Sequence, residues 1–161
     1  MKTMTRFNIY APMAAIILTT VLALPAAAQP QVPLKGTFQG KDTASPSVIA
    51  TSGTGLGTHL GNFSLTQETS LSTLNGFAHW VAANGDSIDT TFLASPDFST
   101  LSLGYITVTE THTITGGTGR FAGAKGSFIL ERTHLVALSD DGTHVTFGSF
   151  HGSITSPGAA H

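Results

Sequence analysis

The sequence predicts an all-β protein: a closed antiparallel barrel of about eight strands, with a β-sandwich as the alternative. Three observations predict it. Apolar and polar residues alternate between turn signals along most of the chain, and no window shows the i, i+3, i+4, i+7 spacing of an amphipathic helix. The composition is rich in Thr, Ser, Gly, Phe, Val and Ile. The turn-forming clusters lie close enough together to leave room only for short connections.

The first 28 residues read as a leader rather than as part of the fold. Lys2 and Arg6 make a positive start, Ala14 to Leu24 is a short apolar core, and Pro25-Ala26-Ala27-Ala28 supplies small residues at a cleavage site. The apolar stretch is too short for a membrane span. Cleavage is expected between Ala28 and Gln29, giving a secreted or periplasmic protein with a single domain over 29–161. No cysteine follows that site, or occurs anywhere. This excludes a lipoprotein anchor, disulfides and thiolate metal sites. After cleavage five basic residues face nine acids. That balance argues against nucleic acid or an anionic membrane as partner.

The strands follow in order. One runs from Lys35 to Thr43, and an extended Gly-rich stretch spans Val48 to Gly61. Phe63, Leu65, Gln67, Thr69 and Leu71 share one face of the next. Phe77, His79 and Val81 share a face of the fourth, with Trp80 on the opposite, outer face. Asn84-Gly85 reads as a two-residue hairpin turn. It aligns Val81 with Ile88, His79 with Thr90 and Phe77 with Phe92. Ile106, Val108, Glu110, His112 and Ile114 form a long face, as do Phe128, Leu130, Arg132, His134 and Val136. A hairpin centred on Phe121 sets Glu110 opposite Arg132 and Val108 opposite His134. Ser139-Asp140-Asp141-Gly142 turns the chain, and Val145 and Phe147 return inward. Gly148 reads as a bulge, because the apolar positions then change parity to Phe150 and Ile154.

The segment Ile114 to Phe128, ITGGTGRFAGAKGSF, nearly spells two nucleotide motifs. Gly117, Gly119 and Gly123 approach a dinucleotide fingerprint, but an apolar run follows where a helix would be needed. Ala124-Lys125-Gly126 lacks the Gly-Lys-Ser/Thr order of a Walker loop. The segment is read as a strand connection whose glycines supply positive φ. Ile114 to Gly126 resembles the GGTG-x-F-x-x-A-x-G segment of dirigent proteins and of the related allene oxide cyclase barrel. Thr58-His59-Leu60-Gly61-Asn62-Phe63 is similar to a THLG-x-F stretch of small secreted bacterial members of that superfamily. The resemblance implies an eight-stranded barrel with an apolar lumen, often dimeric or trimeric.

The inward faces so read carry His79, Glu110, His112, Arg132 and His134 into the lumen, together with Gln67. Burying such groups is costly unless they pair. The histidines show neither H-x-H nor H-E-x-x-H spacing, and no metal or other cofactor is expected. No G-x-S-x-G marks a nucleophile. Two functional readings remain. One is an exported barrel that holds a small apolar ligand in its lumen. The other, which the resemblance implies, is a cyclase or isomerase related to allene oxide cyclase, or a dirigent-like stereo-directing protein, using the same lumen with Glu110 and Arg132 as its polar groups.

Overall fold

A computed structural model describes residues 29–155 of the 161-residue chain; the expected leader at 1–28 lies outside the described residues. Eight antiparallel strands form a closed barrel in simple sequence order: β1 (Gln31–Ala44), β2 (Val48–Gly57), β3 (Gly61–Ser70), β4 (Asn75–Ala82), β5 (Ser87–Asp97), β6 (Tyr105–Gly117), β7 (Gly126–Leu138) and β8 (His144–Thr155). β8 closes on β1, with Gly36 beside Phe150 and Phe38 beside Gly148. Closure leaves no free sheet edge, which a chain this rich in β-formers would otherwise expose to pairing with other chains. Among the described residues no helix is long and apolar enough to cross a membrane.

The inward parity read from the sequence holds for most of β3, β5, β6 and β7. Phe63, Leu65, Gln67 and Thr69 are buried, as are Ile88, Thr90 and Phe92, Val108 to Ile114 in alternation, and Phe128, Leu130 and Arg132.

β4 is reversed. Its buried residues are Ala78, Trp80 and Ala82, while Phe77 and His79 lie on the outer wall. The cause is one loop residue. Gly85 N–H donates to Ala82 O (2.9 Å) and Ala82 N–H donates to Asp86 O (2.8 Å), so Ala83, Asn84 and Gly85 form a three-residue loop. Gly85 has φ +87°, whereas Asn84 has no positive φ. A two-residue type I′ turn needs positive φ at both positions; a type I turn closed by a left-handed glycine needs it only at the last. The observed partners are therefore Trp80 with Ile88 and Ala78 with Thr90. A slip of one residue exchanges the two faces of a strand.

β8 also departs from expectation. Thr146, Gly148, Phe150 and Ile154 keep one parity, and the register against β1 is unbroken through Gly148, so there is no bulge there. Val145 and Phe147 face outward. Gly148 is small because the backbone of Glu131 and Arg132 on β7 lies where a Cβ would go. The irregularity falls on β7 instead. His134 pairs with Thr146, but the next pair is Leu138 with His144, so Leu135, Val136 and Ala137 arch outward. Val136 is consequently exposed rather than inward.

The ends of the barrel differ. At one, the Gly-rich connection between β6 and β7 makes a short 3-10 turn, Gly119–Phe121, that drops Phe121 into the barrel as a fully buried plug. Gly119 has φ +54°, and any Cβ there would collide with the Asp86 carboxylate. Asp86 accepts from Arg120 N–H (3.2 Å), and Thr118 Oγ1 accepts from Ser87 N–H (2.9 Å), pinning the connection to the β4–β5 hairpin. The Lys125 ammonium donates to Thr115 O (3.4 Å). The Arg120 guanidinium lies 3.5 Å from Asp86 Oδ2, so both cations of the segment meet partners within the fold. At the other end, the β1–β2, β3–β4, β5–β6 and β7–β8 connections surround a mouth.

Candidate functional site

The interior is layered. Next to the plug, Trp80, Phe63, Phe128 and Phe150 pack edge-on or tilted at centroid distances of 5.3–5.8 Å. Above them the His112 ring stacks between Phe128 (4.6 Å) and Phe92 (4.7 Å). A directional hydrogen-bond chain runs through it. Trp80 Nε1–H donates to Thr90 Oγ1 (3.3 Å), Thr90 lies 3.0 Å from His112 Nδ1, and His112 Nε2 lies 3.1 Å from Glu110 Oε2. With Glu110 accepting, Nε2 carries the proton and Nδ1 accepts from the Thr90 hydroxyl, so each donor has an acceptor. Burial drives His112 below the ordinary imidazole range, against the pull of Glu110 beside it and with help from the Arg132 charge. The ring is therefore neutral in the fold.

Arg132 crosses the barrel above this layer and connects two buried carboxyl groups. Its Nε lies 2.9 Å from Glu110 Oε1, with the N–H off line, so the contact is an ion pair rather than a directed hydrogen bond. Its Nη1 donates to Asp42 Oδ1 and Oδ2 (3.1 and 3.2 Å). Gln67 Nε2 donates to both oxygens of Glu110 at 3.0 Å. Asp42 accepts from Thr51 Oγ1 and from His134 Nδ1, each at 2.6 Å. Burial alone would raise the Asp42 carboxyl. The His134 hydrogen bond, the Arg132 charge and the Thr51 hydroxyl together outweigh it and hold the group below its ordinary range. Asp42 is thus an anion, and the Nδ1 facing it carries the imidazole proton.

A cavity of about 150 Å³ opens above Arg132. Ile49, Leu74, Ala94, Ile106 and Val108 form its apolar wall, and Leu71 and Phe98 stand at its rim. Three polar side chains reach it: Arg132, His134 and Thr69. Thr69 Oγ1 is buried and has no hydrogen-bond partner among the described residues. His134 uses Nδ1 on Asp42, and among the described residues its Nε2 has no hydrogen-bond partner. A larger groove of about 990 Å³ crosses the outer wall, but among the described residues Glu131 is the only charged side chain lining it, and none of Asp42, Glu110, His112, Arg132 and His134 reaches it.

Four of the five residues read as lumen candidates come together here. Glu110, His112 and Arg132 are buried in the interior and His134 lies at its upper edge. His79 does not join them: the three-residue loop turns it outward, where its Nδ1 meets Asp89 Oδ1 at 2.6 Å. Glu110 and Arg132 do pair, but diagonally, because Val108 is the true opposite of Arg132 and Ile106 that of His134. That register differs by two residues from the expected one, which preserves parity. Sequence reasoning missed Asp42, Thr51, Thr69 as a cavity donor, and Trp80 as a core residue. Asp42 had a signal: Leu34, Phe38 and Asp42 fall on one parity with Gly36 and Gly40.

Among the described residues no group of three or more His, Asp or Glu side chains is placed to hold a metal ion. Neither a protein-family model, nor a curated protein, nor a solved structure matches this chain.

Proposed function

We propose that the protein is an exported barrel that binds a small, largely apolar molecule in the open end of its lumen. The observation that carries this reading is the cavity above Arg132, apolar on its wall and polar at its floor. Ligand sites commonly combine an apolar lining with a few convergent polar groups. A dry cavity of roughly 150 Å³ accommodates a molecule the size of one benzene ring. The unpartnered Thr69 hydroxyl supports the reading further, since a buried hydroxyl without a partner is costly and a ligand would supply one. Export rests on the leader pattern of residues 1–28.

The test is native mass spectrometry of protein purified from the exported fraction of its host, beside an Ile106→Trp variant that fills the cavity. The expected result is a small-molecule adduct on the parent chain that is lost in the variant. An adduct retained by folded Ile106→Trp protein would place the ligand elsewhere. A parent chain without an adduct that also gives no methyl shifts at Leu74 and Ile106 with single-ring probes would overturn the reading.

A further inference from the structure

We propose that the cavity is a proton-transfer site, in which His134, oriented by Asp42, moves a proton between two carbons of a small ring ketone whose oxygen is held by Arg132 and Thr69. The proposal rests on the ligand-binding reading above and adds a reaction to it. Asp42 is fully buried and its Oδ2 lies 2.6 Å from His134 Nδ1. A carboxylate in that position fixes the tautomer and leaves the Nε2 lone pair available as a base. His134 borders the cavity and remains partly exposed. The arch at Leu135–Ala137 begins directly after it, and irregularities of this kind re-aim side chains at barrel rims.

Arg132 gives the site its electrophilic side. Nη1 is engaged by Asp42 and Nε faces Glu110, while Nη2 makes no hydrogen bond among the described residues. Arg132 and Thr69 both line the cavity, and Thr69 Oγ1 has no hydrogen-bond partner among the described residues. Donors placed where negative charge develops on a carbonyl oxygen stabilise the enolate.

The step balances without a cofactor. His134 Nε2 takes a proton from the carbon between the carbonyl and a β,γ double bond. The C–H electrons shift toward the carbonyl, and its oxygen takes up negative charge against Arg132 and Thr69. The imidazolium, stabilised by Asp42, then returns the proton to the γ carbon. The double bond moves into conjugation, with no atom gained or lost and no change of oxidation state. The titratable and charged groups facing His134 are Asp42 from β1, Arg132 from its own strand and His144 from β8, whose ring lies 4.8 Å away. The cavity residues from β2, β3, β5 and β6 carry no titratable group.

The experiment follows conversion of 3-cyclohexenone to its conjugated isomer by ultraviolet absorbance, with binding of cyclohexanone read in parallel from the Leu74 and Ile106 methyl signals. Parent protein is expected to accelerate conversion roughly 100-fold over buffer. His134→Gln should lose the acceleration while still binding cyclohexanone, and Asp42→Asn should lose most of it. If His134→Gln does not fold, Ile106→Trp decides, since acceleration that survives a filled cavity excludes this site. Cyclohexanone binding without acceleration overturns the proposal and leaves the binding reading intact. Absence of binding by folded parent protein overturns both for ligands of this size.

Discussion

At one end of the barrel the apolar loop residues Leu60, Phe121 and Ala124 are buried; at the other, Phe98, Leu103 and Leu138 stand 60 %, 70 % and 64 % exposed. The plugged end is polar outside and dense inside. The open end is apolar outside and partly hollow inside. Both are made by hairpin connections of the same sheet, so the difference lies in what each connection does with its large residues. The Gly-rich β6–β7 connection folds back and spends Phe121 on the core. The β5–β6 connection, with its 3-10 turn at Leu101–Leu103, leaves its large residues around the mouth. Stability is therefore concentrated below Arg132, and room for a ligand above it.

This contrast can be broken from either side. Phe121→Ala removes the plug and should destabilise the fold by about 3–5 kcal/mol, the range for emptying an aromatic site in a packed core; urea unfolding measures it. Phe98→Ser, on the rim, should change stability by less than about 0.5 kcal/mol. Equal losses in the two variants would mean that the ends are not energetically distinct.

Arg132 is the boundary between the halves. Arg132→Met leaves Asp42 and Glu110 buried without their cation and should cost about 3–5 kcal/mol. Adding Glu110→Gln and Asp42→Asn should recover much of that loss, because the uncompensated charges go with their partner. A triple variant no more stable than Arg132→Met would show that Arg132 acts through packing rather than charge.

A further effect is graded by pH. His112 is held neutral, so below the ordinary imidazole value of 6.5 the unfolded chain binds a proton that the folded chain does not. That stability is complete above this value and declines as pH falls, by up to about 1.4 kcal/mol per pH unit for one proton. Asp42 has the opposite charge type and the same outcome. Its lowered folded value stabilises the protein above 3.8 and is lost as pH falls from there through the folded value. A urea midpoint that stays flat from about pH 7 to 4.5 would show that His112 accepts a proton within the fold.

What was legible in the sequence follows the same division of the barrel. In β3, β5, β6 and β7 most large apolar residues point inward, Leu93, Ile129, Val136 and Leu138 excepted, and alternation revealed the faces, including Glu110, His112 and Arg132. In β4 and β8 it misled, because Phe77 and Phe147 are outside while Ala78, Ala82 and Gly148 are inside. The Trp80 and Phe150 rings already fill that part of the interior, so their strand neighbours must be small. Size then no longer marks the inner face. Asp42 was readable by parity, but its partners Arg132 and His134 lie on β7, with β8 between the two strands. Only closure of the barrel brings them together, and no local spacing encodes that.

For a guest of the kind proposed above, the belt of Arg132, Asp42 and Glu110 would also act as a depth stop. A guest entering the mouth meets a charged floor held from both sides, and below it lie rings that are already in contact. Extra length on a guest cannot be taken up by sliding deeper; it must project back past Leu71 and Phe98 into solvent. Under the proposed binding, selectivity would be set by how far Arg132 reaches across the barrel rather than by its diameter, and a homologous series of guests should be graded by length, not girth.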